Sequence, residues 1–366
     1  MPSIFSDYPL GSLTLRNRIV MAPMTRARTR DLTPDADTAL YYRQRAGAGL
    51  IISEGLPFSQ EGRGAFYVPG IETHAQVKGW KAVTQAVHEE GGLIFAQIWH
   101  VGRASHASYQ IGAQPPISAV DTQANAKTFV LGDDGLPTMA QQARPRALRV
   151  DEVPRLLNDY KTAAQNALDA GFDGVEIHGA NGYLLEQFIN GGLNTRSDAY
   201  GGSIENRLRL PLEVVDCVAK VVGAGRTGLR VAPFGRFNDM HAFADEADTW
   251  LTLGRRLSER GLAYVHLSDQ ATLGAEAIPD GFVDRFRQAY KGTLVLAGGF
   301  ELKNGQAALD AGRADLIAIG RPFISNPDLV ERFRNGWPLT PSDRATYYGG
   351  GAQGYIDYPR YQQDKA

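Results

Sequence analysis

The residues of this chain best suited to chemistry lie close together in VEIHGANGYLLEQF, Val175 to Phe188. His178, Asn181 and Tyr183 put an imidazole, a carboxamide and a phenol within six residues. An imidazole moves a proton, ligates a metal or donates a hydrogen bond. A carboxamide donates and accepts without titrating, and a phenol is an acid with an ordinary pKa of about 10. The short run Gly174 to Ile177 before them is β-like, and LLEQF after them is helix-like. The three polar groups therefore stand where a buried strand ends. A lone histidine there would more often be a satisfied core residue, but its two companions favour a site.

Seven other runs resemble that strand. They are Asn17 to Met24, Leu50 to Gly55, Leu93 to His100, Thr227 to Pro233, Leu262 to Asp269, Thr293 to Gly299 and Asp315 to Arg321. All are short, apolar and rich in Ile, Val and Leu, as strands buried on both faces of a parallel sheet are. Helical patterns lie between them at 73–90, 151–170, 203–222, 245–260, 280–290, 301–311 and 327–334. Pro211 is expected to kink or restart the third of these. Eight strands alternating with helices, without a mid-chain linker, predict an α/β fold. It is a single (β/α)8 TIM barrel occupying 1–366 as one domain. Two segments break the repeat. Ser6 to Arg16, with a turn at Asp7 to Gly11, predicts an N-terminal hairpin plugging the barrel bottom. Residues 101–149, rich in Pro, Gly, Ser and Gln, predict a lid excursion after the third strand, with strand material in PPISAV and AKTFVL.

Composition narrows the function. With 43% hydrophobic and 21% charged residues, the chain can bury a large core. A net charge of −2 gives no footprint for nucleic acid or an anionic membrane. The one cysteine, Cys217, allows no internal disulfide and no thiolate cluster. No apolar run reaches the roughly 18 residues of a membrane span, and MPSIFSDYPL lacks the marks of a secretory signal. A cytoplasmic enzyme is expected.

In a barrel of this kind the site is built where strands end. No lysine ends a strand, which argues against a Schiff-base aldolase. No group of carboxylates and histidines gathers there, so no metal is expected. The donors are Thr25, Gln97, His178, Asn181, Arg230 and Arg321, neutral or cationic, which suits an anionic ligand with hydrogen-bonding edges. Gly298, Gly299, Gly320 and Arg321 fall in the loops after strands seven and eight, where bare N–H groups and a guanidinium suit a phosphate, unless these are only tight turns. GxGxxG matches at Gly223 to Gly228 and Gly349 to Gly354 lack the strand-turn-helix setting of a dinucleotide fingerprint.

The chain resembles the Old Yellow Enzyme family of flavin-dependent ene-reductases. The resemblance rests on MAPMTRAR (Met21 to Arg28), YYRQRAGAGLIISEG (Tyr41 to Gly55), QIWHVGR (Gln97 to Arg103) and EIHGANGYLLEQF (Glu176 to Phe188). It continues in NTRSDAYGGSIENR (Asn194 to Arg207), LRVAP (Leu229 to Pro233), IGRPFISNPDL (Ile319 to Leu329) and YYGGGAQGYIDYP (Tyr347 to Pro359). It implies a non-covalent FMN reduced by NAD(P)H. Thr25 would bond the flavin O4 side, Gln97 the pyrimidine edge, and Arg230 the N1 and O2 side. Gly299, Gly320 and Arg321, with Gly298, would hold the phosphate. Pro23, Met24 and Gly55 would line the ring. His178 and Asn181 would bind the substrate oxygen beside the cofactor, Tyr183 would be the acid, and Trp99 and Tyr355 would shape the substrate side. The substrate would be an enone or a nitro compound, and the protein a monomer or homodimer. Ala65 stands four residues before Pro69-Gly70, where members often carry a tyrosine. A flavin barrel with a dedicated dienone or amine substrate, and a flavin-free isomerase or aldolase of a sugar phosphate, are the alternatives.

Overall fold

The computed structural model describes residues 2–132 and 134–362. Eight parallel strands close into a barrel: β1 (Ile19–Met21), β2 (Leu50–Pro57), β3 (Ile94–Trp99), β4 (Gly174–Gly179), β5 (Thr227–Val231), β6 (Tyr264–Ser268), β7 (Leu294–Ala297) and β8 (Leu316–Ile319). Each pairs with its neighbours in sequence, and β8 pairs with β1. The (β/α)8 barrel is the fold expected.

Alternation along the strands sorts side chains into two sets. Val175, Ile177, Val265 and Leu267 point outward and pack with the helices. Val20, Leu50, Ile52, Phe95, Tyr264, Val295 and Leu316 fill the interior. Two aromatic rings fit this narrow space because two neighbours have no side chain. A Cβ on Gly174 would collide with Phe95, and one on Gly228 with Tyr264. The two rings stack with centroids 5.9 Å apart.

The N-terminal hairpin pairs Tyr8–Leu10 with Leu13–Leu15, and Leu10 and Leu15 join the interior cluster as its plug. Its turn is at Gly11–Ser12 and not at Asp7 to Gly11. Gly11 takes φ +58° and packs so tightly on the Gly225 carbonyl that a side chain would not fit. The lid holds two small sheets: Ile117–Ser118 with Arg146–Ala147, and Lys127–Leu131 with Pro137–Gln141.

Two helices differ from expectation: one does not restart at Pro211, and one was not foreseen. Ile204–Val222 runs unbroken through Pro211. The proline removes one N–H, but Leu208, Leu210, Leu212, Val214 and Val215 around it are buried, and that packing outweighs one lost bond. Ala36–Gln44, between β1 and β2, was not anticipated. It has no clean apolar stripe, yet it is held by an Asp35–Thr38 capping box and buries Tyr41 and Tyr42. The short helices Leu184–Ile189 and Arg321–Ser325 follow β4 and β8.

Gly228→Ala should lower the unfolding midpoint, at a cost on the order of 1–3 kcal/mol for overpacking against Tyr264. Gly47→Ala, where a Cβ meets nothing within 4 Å, should leave the midpoint within about 0.5 kcal/mol of wild type. Thermal melts at one scan rate check both, and equal midpoints for the two variants would contradict the packing argument.

Candidate functional site

Toward the C-terminal end of the barrel the interior becomes polar. Gln97 on β3, Glu176 and His178 on β4, Arg230 on β5, and His266 and Ser268 on β6 continue the inward-facing series. Glu176 is fully buried and accepts from Gln97 Nε2 at 2.7 Å and His266 Nδ1 at 2.9 Å. Arg230 has no salt-bridge partner among the described residues. Its one hydrogen bond to the chain goes to Ser268 Oγ at 3.0 Å, and its buried Nε has no partner. A half-sealed, always-charged guanidinium with unused donors fits an anionic or strongly accepting ligand edge.

His178 is 4% exposed and stacks loosely on Trp99. Its Nδ1 faces the Ala180 N–H at 3.3 Å, which assigns the ring proton to Nε2. Burial, then the charges of Arg230 and His266, hold its pKa well below the ordinary value. It is therefore a neutral hydrogen-bond donor.

Asn181 takes φ +59°, a left-handed conformation that asparagine tolerates better than most residues. Gln270 Nε2 donates to its Oδ1 at 3.1 Å, and Asn238 Nδ2 donates to its carbonyl at 2.9 Å. With its oxygen engaged, the Asn181 amide has its N–H groups to offer. Tyr183 lies edge-on to Trp99 and to His178, with centroids 5.0 and 4.9 Å apart. Burial, with Tyr348 nearby, pushes its phenol up to about 12. His178, Tyr183 and Trp99 come together as three rings, and Asn181 lies in the loop between the first two.

Their loop is fixed from behind. The Gly182 N–H donates to Glu186 Oε2 at 2.8 Å. Gln187 Nε2 donates to the carbonyls of Gly182 at 2.8 Å and Val101 at 3.0 Å. Gln187 Oε1 accepts from the Arg103 N–H at 3.1 Å and Ser118 Oγ at 2.9 Å. One amide thus ties the lid to the Asn181–Tyr183 loop.

On the other side of the mouth, Gly298 and Gly299 follow β7 with φ +145° and +76°. Gly320 and Arg321 follow β8. The N–H groups of Gly299 and Gly320 donate to no backbone acceptor in the described set. The exposed Arg321 reaches back to the Thr272 carbonyl. A Cβ on Gly320 would sit 3.5 Å from Met24 Sδ, so the β1 and β8 ends adjoin. Pro23, Met24 and Thr25 are partly exposed there. Gly55 abuts the Trp99 ring, 2.9 Å from where its Cβ would be. The free N–H groups of Gly299 and Gly320, a nearby guanidinium and the unpaired Arg230 together fit a phosphate-bearing flavin.

Tyr355 requires a correction. It is 1% exposed and stacks on Tyr41 at 4.4 Å, with Arg26 and Arg28 over its ring. It anchors the C-terminal tail and does not face the mouth. Tyr348, 54% exposed and close enough to Tyr183 to perturb it, is the tail aromatic that does. In the sequence it is the second of a tyrosine pair, with nothing to set it apart from its neighbour. Glu176, His266 and Gln187 were also missed. The signal for Glu176 was its position two residues before His178, on the same face of β4. Ala65 packs beside Trp99 and Tyr183 without supplying a phenol. Phe66 is buried nearby and meets the lid residue Phe129 at 6.1 Å.

Comparison with known proteins agrees with this geometry. Residues 3–340 match the model of the NADH:flavin oxidoreductase / NADH oxidase family. 12-Oxophytodienoate reductase 1 of Oryza sativa subsp. japonica is 41% identical over 362 residues, covering 97% of this chain and 92% of that protein. Morphinone reductase in complex with tetrahydroNAD superposes with a TM-score of 0.96 at 46% identity, covering 100% of this chain and 99% of that one. The Old Yellow Enzyme homologue from Zymomonas mobilis gives 0.93 at 42% identity, covering 98% and 100%. The flavin-free alternative is thereby set aside. The chain belongs to the NADH:flavin oxidoreductase / NADH oxidase family, that of Old Yellow Enzyme, and is an FMN-dependent oxidoreductase that takes its electrons from a nicotinamide.

Proposed function

We propose that the enzyme reduces activated alkenes, enones above all, with Thr25, Gln97 and Arg230 holding the flavin ring and Gly298, Gly299, Gly320 and Arg321 its phosphate. Two of its relatives are named for oxo compounds, which supports this substrate class. The observation that carries the reading is the group of three uncharged donors, His178, Asn181 and Tyr183, beside the unpaired Arg230.

Bound FMN would supply the hydride, drawn from NAD(P)H and delivered to the alkene β-carbon. The chain manages the charge and the proton. His178 Nε2–H and the Asn181 amide donate to the substrate carbonyl oxygen as negative charge develops on it. Being neutral, both keep donating as pH changes. A nitro group offers oxygens to the same two donors, so nitro compounds belong to the same substrate class. Tyr183 gives its proton to the α-carbon. With its pKa raised to about 12, the phenol remains the acid form from pH 6 to 10. Trp99 holds the Tyr183 ring edge-on, and Tyr348 and Phe129 border the entrance, their centroids 6.0 Å apart.

Tyr183→Phe should leave flavin reduction by NADPH unchanged and slow the second half-reaction with weakly activated enones by roughly 10²-fold or more. Stopped-flow measurement of each half-reaction decides, and equal losses in both would exclude the acid role. In the wild type, the second half-reaction should be flat from pH 6 to 9.

Arg321→Ala should weaken FMN binding by about tenfold or more, from the loss of charge-assisted bonds to phosphate. Equilibrium dialysis would show it, and unaltered retention would remove Arg321 from the phosphate site.

A further inference from the structure

Glu176 is sealed inside the barrel, and the reaction as derived gives it no task. It lies directly across the β3–β4 ladder from Gln97. As a carboxylate it can only accept, so the Gln97 amide turns its nitrogen toward Glu176 at 2.7 Å and its oxygen away. His266 fills the other carboxylate oxygen with its Nδ1 proton at 2.9 Å, and its Nε2 is left buried without a partner. Glu176 therefore has a donor on each oxygen, and the Gln97 oxygen has none among the described residues. Without an acceptor-only neighbour, a glutamine amide would be free to flip and present either end.

We propose that Glu176 is a positioning residue that sets the orientation of the Gln97 amide and so selects the ligand edge Gln97 recognises. One Gln97 N–H is spent on Glu176. The other N–H, on the carbonyl side, and the carbonyl oxygen remain as an adjacent donor and acceptor. Their complement is an edge with an acceptor beside an N–H, as O2 and N3–H present on a flavin pyrimidine ring. The inference rests on the flavin reading and deepens it. Arg230, opposite His266 in the β5–β6 ladder, brings a compensating positive charge to the same layer.

The test compares FMN with N3-methyl-FMN, whose methyl group removes the N–H that the Gln97 oxygen would accept. Dissociation constants come from quenching of flavin fluorescence, with circular dichroism to check folding. Wild type should bind FMN at least about tenfold more tightly than the methylated analogue. Glu176→Gln has nearly the same shape but can donate, so it frees Gln97 to flip, and the ratio should fall toward one. Gln97→Ala should abolish the ratio, and adding Glu176→Gln to it should change nothing more. A wild-type ratio near one overturns the proposal without any variant. So do a full ratio in folded Glu176→Gln, or additive losses in the double variant, which would mark Glu176 as merely structural. If Glu176→Gln does not fold, Glu176→Leu, which cannot accept from the Gln97 amide, takes its place: a fall of the ratio toward one supports the proposal and a full ratio overturns it. A wild type that binds neither flavin overturns the flavin reading and this inference with it, whereas FMN binding without discrimination overturns this inference alone.

Discussion

The site depends on a polar layer laid on an apolar one inside a closed barrel. Below, Phe95 and Tyr264 fill the space left by Gly174 and Gly228. Above, every inward residue must find a partner or face a ligand, because water is largely excluded. One carboxylate, Glu176, accepts from both Gln97 and His266. Arg230 supplies the opposite charge without closing into an ion pair. The layer is close to neutral, yet it leaves a guanidinium and an amide edge unspent. Had Arg230 been salt-bridged, the barrel would be better satisfied and the mouth would have little to offer a flavin.

A second constraint concerns the loop after β4. Asn181 and Gly182 both take positive φ, so the backbone turns sharply enough to set His178 and Tyr183 against each other. Such a turn needs support. Glu186 and Gln187, one turn into the following helix, hold it from below, and Gln187 also reaches the lid at Ser118. Lid and donor loop are thus registered by a single side chain. The glycine at 102 belongs to the same arrangement, since a side chain there would displace the Gln187 amide.

These devices explain what the sequence could show. Eight apolar runs separated by helical patterns are a count, and a count of eight survives errors at element ends. The strand ends were legible for the same reason: Gln97, His178 and Arg230 interrupt otherwise apolar runs. Glu176 and His266 interrupt them too, at the level of Gln97 and Arg230, and were passed over because His178 and Ser268, two positions further on, stand nearer the strand ends. Ala36–Gln44 hides because its buried face is two tyrosines and a threonine, not an aliphatic stripe. Pro211 misled because its cost is local and visible, whereas the packing that outweighs it is tertiary. Tyr355 misled because a conspicuous aromatic near the end of the chain carries no mark of which way it faces.

The tail containing Tyr355 has almost no regular structure, so its carbonyls need donors from elsewhere. Three arginines provide them. Arg26 Nε donates to the Tyr347 carbonyl at 3.0 Å, and its Nη2 to that of Gly354 at 2.7 Å. Arg28 reaches the carbonyls of Thr346 and Gly351, and Arg45 that of Tyr355 at 3.4 Å. Arg26 and Arg28 follow β1 directly after Thr25. The segment that carries Thr25 into the mouth therefore also grips the tail on either side of Tyr348. Tyr355, pressed between Tyr41 and those guanidinium groups, locks the grip. The end of β1 and the tail are in this way fixed to each other, and the buried Tyr355 decides where the exposed Tyr348 can stand.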